Sequence, residues 1–159
     1  HGSLPDQKLC EDEFLQAQQE IKTNGVSVIS FLTILANYFA SQKNGCIAVV
    51  TSVAGDRGRQ PNYVYGAAKS LVSTYLQGLR GKLYSSNVHV VDIRPGLVDS
   101  PMTAQFDKGL LWSSPKKIAA IIVKSIRKKK HTVYAPSYWR VILFVVRIIP
   151  EFIFKRLKL

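Results

Sequence analysis

A phenol four residues ahead of an ammonium is the feature of this chain with the most chemical potential, in Tyr65-Gly66-Ala67-Ala68-Lys69. Positions i and i+4 lie on one face of a helix, so both groups can converge on a single ligand; taken alone, the pair also fits an ordinary surface contact. Ser52 stands at the end of the apolar run Cys46-Ile47-Ala48-Val49-Val50-Thr51. Ligands of open parallel sheets bind just beyond the carboxyl ends of the strands, where this hydroxyl either works or caps a loop. Arg94-Pro95-Gly96-Leu97-Val98-Asp99-Ser100 follows a second such run. Its glycine lets backbone approach a ligand closely, or it is a plain turn. Asn24 places an amide in a mostly apolar helical stretch, where it either satisfies backbone or belongs to a polar network.

The elements that must carry these groups alternate. Residues 10–22 have a helical pattern, with Glu11, Asp12 and Glu13 suited to the positive end of a helix dipole. Residues 24–42 form a second helical stretch, apolar enough to predict burial on most sides, and Lys43-Asn44-Gly45 is a stop signal. Residues 46–52 and 87–93 are short β-branched runs bounded by turns, the pattern of strands buried on both faces of a parallel sheet. Between them lie a loop over 53–61 and a helical pattern over 62–84. Residues 97–114 are irregular, with a short helix expected around 103–110. Ser114-Pro115 opens a helix over 115–129, and 131–135 is a third strand. This order predicts an α/β protein with parallel strands and crossover helices.

The chain has 159 residues, of which 47% are apolar and 20% charged, the composition of a globular domain with a core. The net charge of +12 is concentrated at one end. Residues 1–114 carry ten basic and nine acidic side chains, whereas residues 115–159 carry twelve basic ones and only Glu151. A nucleic-acid binder would spread its charge over a folded face, and here the basic residues are interleaved with Ile, Val and Phe, so no nucleic-acid partner is expected. Cys10 and Cys46 form no disulfide framework or metal cluster and read as reduced structural thiols.

Ser52, Tyr65 thirteen residues on, Lys69 four further and Pro95-Gly96 past the next strand together resemble the short-chain dehydrogenase/reductase family. Thr51-Ser52-Val53-Ala54-Gly55 looks like that family's serine segment, Tyr65 to Lys69 its Tyr-x-x-x-Lys, and Asn24 sits where its fourth catalytic residue is expected. The resemblance runs from residue 1 to about residue 135. It implies a Rossmann-like, doubly wound parallel sheet and hydride transfer between NAD(P)(H) and a carbonyl or alcohol. Tyr65 would give its proton to the substrate oxygen, held beside it by Ser52. An ordinary phenol titrates near about 10, and bringing it near neutrality takes roughly 4 kcal/mol, for which the Lys69 ammonium is the expected source. Tyr65 and Lys69 would also touch the cofactor, Lys69 through the nicotinamide ribose, and Asn24 would hold a water in a proton relay. Pro95 and Gly96 would also bind the cofactor, and the backbone of Val98 and the hydroxyl of Ser100 resemble the segment that fixes the nicotinamide carboxamide, Ser100 replacing the commoner threonine.

The same comparison shows a departure. The family's glycine-rich phosphate loop has no counterpart here, and His1-Gly2-Ser3 looks like the end of its Asn-Asn-Ala-Gly segment. The chain is therefore expected to be the C-terminal portion of a longer enzyme, catalytically incomplete by itself. Leu4-Pro5-Asp6-Gln7 and the C-terminal end look most similar to reductases of lipid-linked sugars such as decaprenylphosphoryl-2-ketopentose.

Residues 1–136 are read as the catalytic portion and 137–159 as a basic amphipathic tail. The tail's longest uninterrupted apolar run, Val141 to Val146, is far shorter than the roughly 20 residues a spanning helix needs. Arg140, Arg147, Glu151, Lys155 and Lys158 recur at helical spacing, with Tyr138 and Trp139 as aromatic anchors and a kink at Pro150, as in helices lying in a membrane interface. A helix packed on the domain or on a partner is the competing reading. The expectations are a cytoplasmic enzyme, peripheral at the membrane and homo-oligomeric when full length, acting on a hydrophobic or lipid-linked carbonyl or alcohol. The alternative is a non-catalytic membrane-peripheral module derived from such an enzyme.

Overall fold

A computed structural model describes residues 2–157. His1 of the His1-Gly2-Ser3 segment and Lys158 of the basic stripe lie outside the described residues. Three parallel strands, β1 (Gly45–Val50), β2 (Val88–Pro95) and β3 (Thr132–Ala135), pair in the order β1-β2-β3. Helices cover both faces, as expected of a doubly wound sheet. On one side Leu32 and Ala36 of α3 (Ser27–Gln42) and Val72, Leu76, Leu79 and Leu83 of α4 (Tyr63–Leu83) close over Ile47, Val88 and Val90. On the other, Ile121 and Ile122 of α5 (Pro115–Arg127) pack on Val91, Ile93 and Val133. The alternation along β2 sends Val88 and Val90 one way and Val91 and Ile93 the other, so this strand is buried on both faces as predicted.

β1 departs from that expectation. It is an edge strand among the described residues, and Val50 at its end is half exposed. The predicted helix over 10–22 is two helices, α1 (Gln7–Asp12) and α2 (Phe14–Ile21), separated by an extended Glu13. Asp6, not the acidic triplet, caps α1, its carboxylate accepting from Lys8 N–H at 2.9 Å. The run continues through a π-turn over Lys22–Val26 into α3, which ends at a left-handed Lys43. Burial of α3 is narrower than predicted: Phe31, Ile34 and Tyr38, spaced three and four apart, form an exposed apolar stripe. Around 103–110 the expected helix shrinks to a single 3-10 turn over Pro101–Thr103.

The C-terminal segment breaks at Pro150 into α6 (Tyr138–Ile148) and α7 (Glu151–Phe154), so the basic residues on either side of it do not share one helical face. Trp139 and Leu143 of α6 are buried against Val53, with Tyr134, Ile142 and Val146 around them. Trp139 is thus a core residue and not a free interfacial anchor, because the i, i+4 pair faces the serine loop. Tyr138 is half buried and donates its hydroxyl to the Leu111 carbonyl at 3.0 Å. The opposite side of α6 exposes Val141, Phe144, Val145 and Ile148 beside Arg140 and Arg147.

Candidate functional site

Ser52 follows β1, and the turn Val53–Gly55 after it lies against the first half of α4. Two glycines allow that approach. A Cβ on Gly66 would fall 2.8 Å from the Ala54 carbonyl oxygen, and one on Gly55 would fall 2.8 Å from Ser70 N. Backbone therefore lies on backbone, and the Ser52 hydroxyl faces the Tyr65 phenol. Ser52 is held in turn by accepting from Ala54 N–H at 3.1 Å. The start of α4 is fixed by Gln7, whose side-chain carbonyl accepts from Val64 N–H at 3.1 Å.

Lys69 lies one turn along α4 from Tyr65, its Nζ 5.4 Å from the phenol ring centroid. It is buried, and among the described residues no carboxylate lies within ion-pair distance of it. Burial pushes its ammonium below the ordinary lysine value. Burial also pushes the Tyr65 phenol up, and the Ser52 hydroxyl draws it back in part. The expected depression of Tyr65 by Lys69 is thus not what this geometry gives, because desolvation dominates both groups.

Asn24 is fully buried in the π-turn, an insertion that often marks functional positions. Its Nδ2 donates to the Glu20 carboxylate at 3.0 Å, the Ser3 hydroxyl at 3.1 Å and the Glu20 carbonyl at 3.3 Å, while Oδ1 accepts from Ser3 N–H at 3.2 Å. A Cβ on Gly2 would lie 3.1 Å from that Oδ1 and 3.8 Å from Lys69 Nζ. The amide oxygen and the ammonium therefore border one small space, and all four predicted catalytic residues gather at the carboxyl end of the sheet.

The four predicted cofactor-binding residues at and beyond the end of β2 make other contacts. Pro95 pairs with Ala135, and Gly96 N–H donates to the Ala135 carbonyl at 3.0 Å. The Val98 carbonyl accepts from Thr103 Oγ1 at 2.7 Å, and Ser100 N–H donates to the same Oγ1 at 3.1 Å. Thr103 closes a capping box, for which Ser100-Pro101-Met102-Thr103 carries the spacing. Val98 also bridges to Ser113, which leaves its own N–H outside that bridge. The segment meets the catalytic group through Met102, whose Cε would lie 3.9 Å from a Cβ on Gly2.

A buried ionic network braces the serine loop from below. Arg94 donates to Asp56 at 2.7 Å and to Asp92 at 2.9 Å, Thr51 donates to Asp92 at 2.5 Å, and Tyr134 donates to Asp56 at 2.6 Å. Arg57, from the same loop, reaches the C-terminal end of α6, donating to the carbonyls of Val146 at 2.6 Å and Ile149 at 2.7 Å. Apart from Arg94–Asp92, two residues apart on one strand, no local pattern announces these partners, which lie 38 to 92 residues apart.

The model of the family described as short chain dehydrogenase matches residues 2–110. An uncharacterized oxidoreductase of Mycobacterium tuberculosis is 32% identical over 156 residues, covering 98% of this chain and 63% of its own length. An oxidoreductase of Streptomyces coelicolor is 31% identical over 156 residues, covering 98% and 62%. This chain therefore spans a little under two thirds of these relatives. A short chain dehydrogenase from Burkholderia cenocepacia, solved in complex with NADP, superposes with a TM-score of 0.85 at 16% identity, over 98% of this chain and 65% of that one. A gluconate 5-dehydrogenase from the same organism, with NADP and tartrate, gives a TM-score of 0.73 at 15% identity over 84% and 60%. The family match takes in the serine loop, the Tyr65–Lys69 helix and the turn after β2, and with them this chain belongs to the short-chain dehydrogenases.

Proposed function

We propose that the protein carrying this chain is an NAD(P)(H)-dependent oxidoreductase that reduces a keto group, or oxidises the matching secondary alcohol, with Ser52, Tyr65 and Lys69 as its reacting group. The observation that carries the reading is the buried Lys69, with no carboxylate in ion-pair range among the described residues, one helical turn from a phenol that the Ser52 hydroxyl faces. A buried ammonium is costly unless it meets polar partners, and the hydroxyls of a nicotinamide ribose are suitable ones. The two NADP-bound relatives of the same fold agree with this cofactor class. Lys69 and Tyr65 would hold the ribose, and Pro95, Gly96, Val98 and Ser100 would border the nicotinamide. The bound cofactor supplies or accepts the hydride.

The chain's own residues then handle a proton and an oxygen. Ser52 donates a hydrogen bond to the substrate oxygen and keeps it beside Tyr65. In the reductive direction Tyr65 delivers its proton as negative charge builds on that oxygen. Lys69 stabilises the phenolate that remains. Asn24 Oδ1, beside the space shared with Lys69, would hold a water that returns the proton; its distance to that space supports the role.

The substrate we assign is hydrophobic, in the class of lipid-linked sugars, and the enzyme lies at the cytoplasmic face of a membrane. In support, Met102, Phe106, Leu110 and Leu111 are exposed on the segment beyond β2. Tyr138 ties that segment to α6, whose outer side joins four exposed apolar residues to Arg140 and Arg147. The exposed stripe of α3 suits contact with a second copy. Lys69→Met tests the cofactor assignment. In the full-length protein it is expected to weaken NADH or NADPH binding at least tenfold by fluorescence titration, and unchanged affinity would refute the ribose contact.

A further inference from the structure

Gly96 has two conceivable reasons to be glycine, and the structure separates them. Its backbone is not in the left-handed region, where among the described glycines only Gly45 stands, so conformation does not require it. Space does. A Cβ on Gly96 would lie 1.8 Å from Trp139 Nε1, 2.0 Å from Cε2 and 2.5 Å from Cδ1. The indole rests directly on the glycine, and no ligand is needed to explain the small residue.

The other surroundings of Trp139 give that contact its meaning. The ring is 5% exposed and packs with Leu143 against Val53, the residue after Ser52. Its helix is tied to the serine loop again by Arg57 and to the segment beyond β2 by Tyr138. One side chain therefore touches both the loop that carries the catalytic hydroxyl and the turn expected to border the nicotinamide. Its Nε1 is buried without a hydrogen-bond partner among the described residues. A phenylalanine would avoid that unmet donor, yet the larger ring fills the distance between the two segments.

We infer that Trp139 is a positioning residue of the candidate site, a wedge that sets the separation of the Ser52–Val53 loop from the Pro95–Gly96 turn and so the fit of the cofactor. The inference rests on the cofactor reading proposed above. It makes the C-terminal helix part of the site's scaffold rather than an appendage, and it makes Gly96 and Trp139 a matched pair.

A double-mutant cycle in the full-length protein tests it, with NADPH and NADH as probes, binding followed by fluorescence titration well below the melting temperature of every variant. Gly96→Ala, whose methyl strikes the indole, is expected to weaken binding of the preferred nucleotide at least tenfold. Trp139→Leu, which removes the wedge, is expected to weaken it by a similar factor. The pair together should be no weaker than Trp139→Leu alone, because the methyl then has room. Multiplication of the two single effects would overturn the inference, since Gly96 would then serve the ligand by itself. So would unaltered affinity in a folded Trp139→Leu protein, which marks a purely structural tryptophan. Should Trp139→Leu fail to fold, Trp139→Phe replaces it in the cycle, with the same criterion. Wild-type protein that binds neither nucleotide would overturn the cofactor reading, and this inference with it.

Discussion

Replacing Arg57 by methionine should loosen the last two helices without unfolding the sheet. The guanidinium sits over the Phe154 ring at 3.6 Å and donates to the carbonyls of Val146, Ile149 and, at 3.5 Å, Arg147. These are acceptors that a helix end leaves unpaired. A charged donor to partly buried carbonyls contributes roughly 1.5–3 kcal/mol, and the negative end of the helix dipole adds about 0.5 kcal/mol. Stacking on Phe154 adds about 1 kcal/mol. The ion pair to Glu151 at 2.8 Å adds little, because that carboxylate is 76% exposed. Since these effects overlap, a loss of about 3 kcal/mol is reasonable, equivalent to a roughly 100-fold rise in local opening. Hydrogen exchange should show that acceleration over residues 138–157 while β2 and α4 keep their protection. Glu151→Gln should change it less than about threefold. Unaltered exchange over 138–157 in Arg57→Met would refute the claim that this contact docks the helices.

Two further outcomes follow from the same geometry. Lys69→Met should stabilise the fold by roughly 1–3 kcal/mol near neutral pH, since it removes a buried charge that has no carboxylate partner among the described residues. The folded lysine releases its proton at lower pH than the unfolded one, so wild-type stability should rise with pH between the two values, and the mutant's advantage should shrink there. A constant advantage across that window in thermal melts contradicts the assignment. The pair Phe144→Asp and Ile148→Asp, both exposed, should abolish co-sedimentation with anionic vesicles yet shift the melting temperature by less than about 2 °C. Retained sedimentation would remove the membrane from the account.

The order of strands and helices and the gathering of Asn24, Ser52, Tyr65 and Lys69 were legible because each depends on local periodicity or spacing. The three strands fall within two residues of the predicted runs at either end, and the helix bearing Tyr65 and Lys69 within one. The errors arise where tertiary contact decides. An apolar helix such as α3 carries no mark of which side will be covered. Nor did the tail announce that Trp139 and Leu143 would turn inward while Phe144 and Ile148 turned out. The reach of Arg57 across 89 residues to Val146 and the pressure of Trp139 on Gly96 left no local trace at all. The spacing of Tyr65 and Lys69 does not reveal their burial, which raises the phenol and lowers the ammonium.

The central claim is that the Tyr65 hydroxyl delivers the proton. Single-turnover oxidation of NADH or NADPH by the full-length protein, with a ketone substrate, compares wild type with Tyr65→Phe. The ring and its packing remain, and only the hydroxyl facing Ser52 is lost. The account predicts a rate reduced by roughly 10²–10⁴, with cofactor affinity within about twofold of wild type. A Tyr65→Phe protein that turns over within a few-fold of wild type would contradict it.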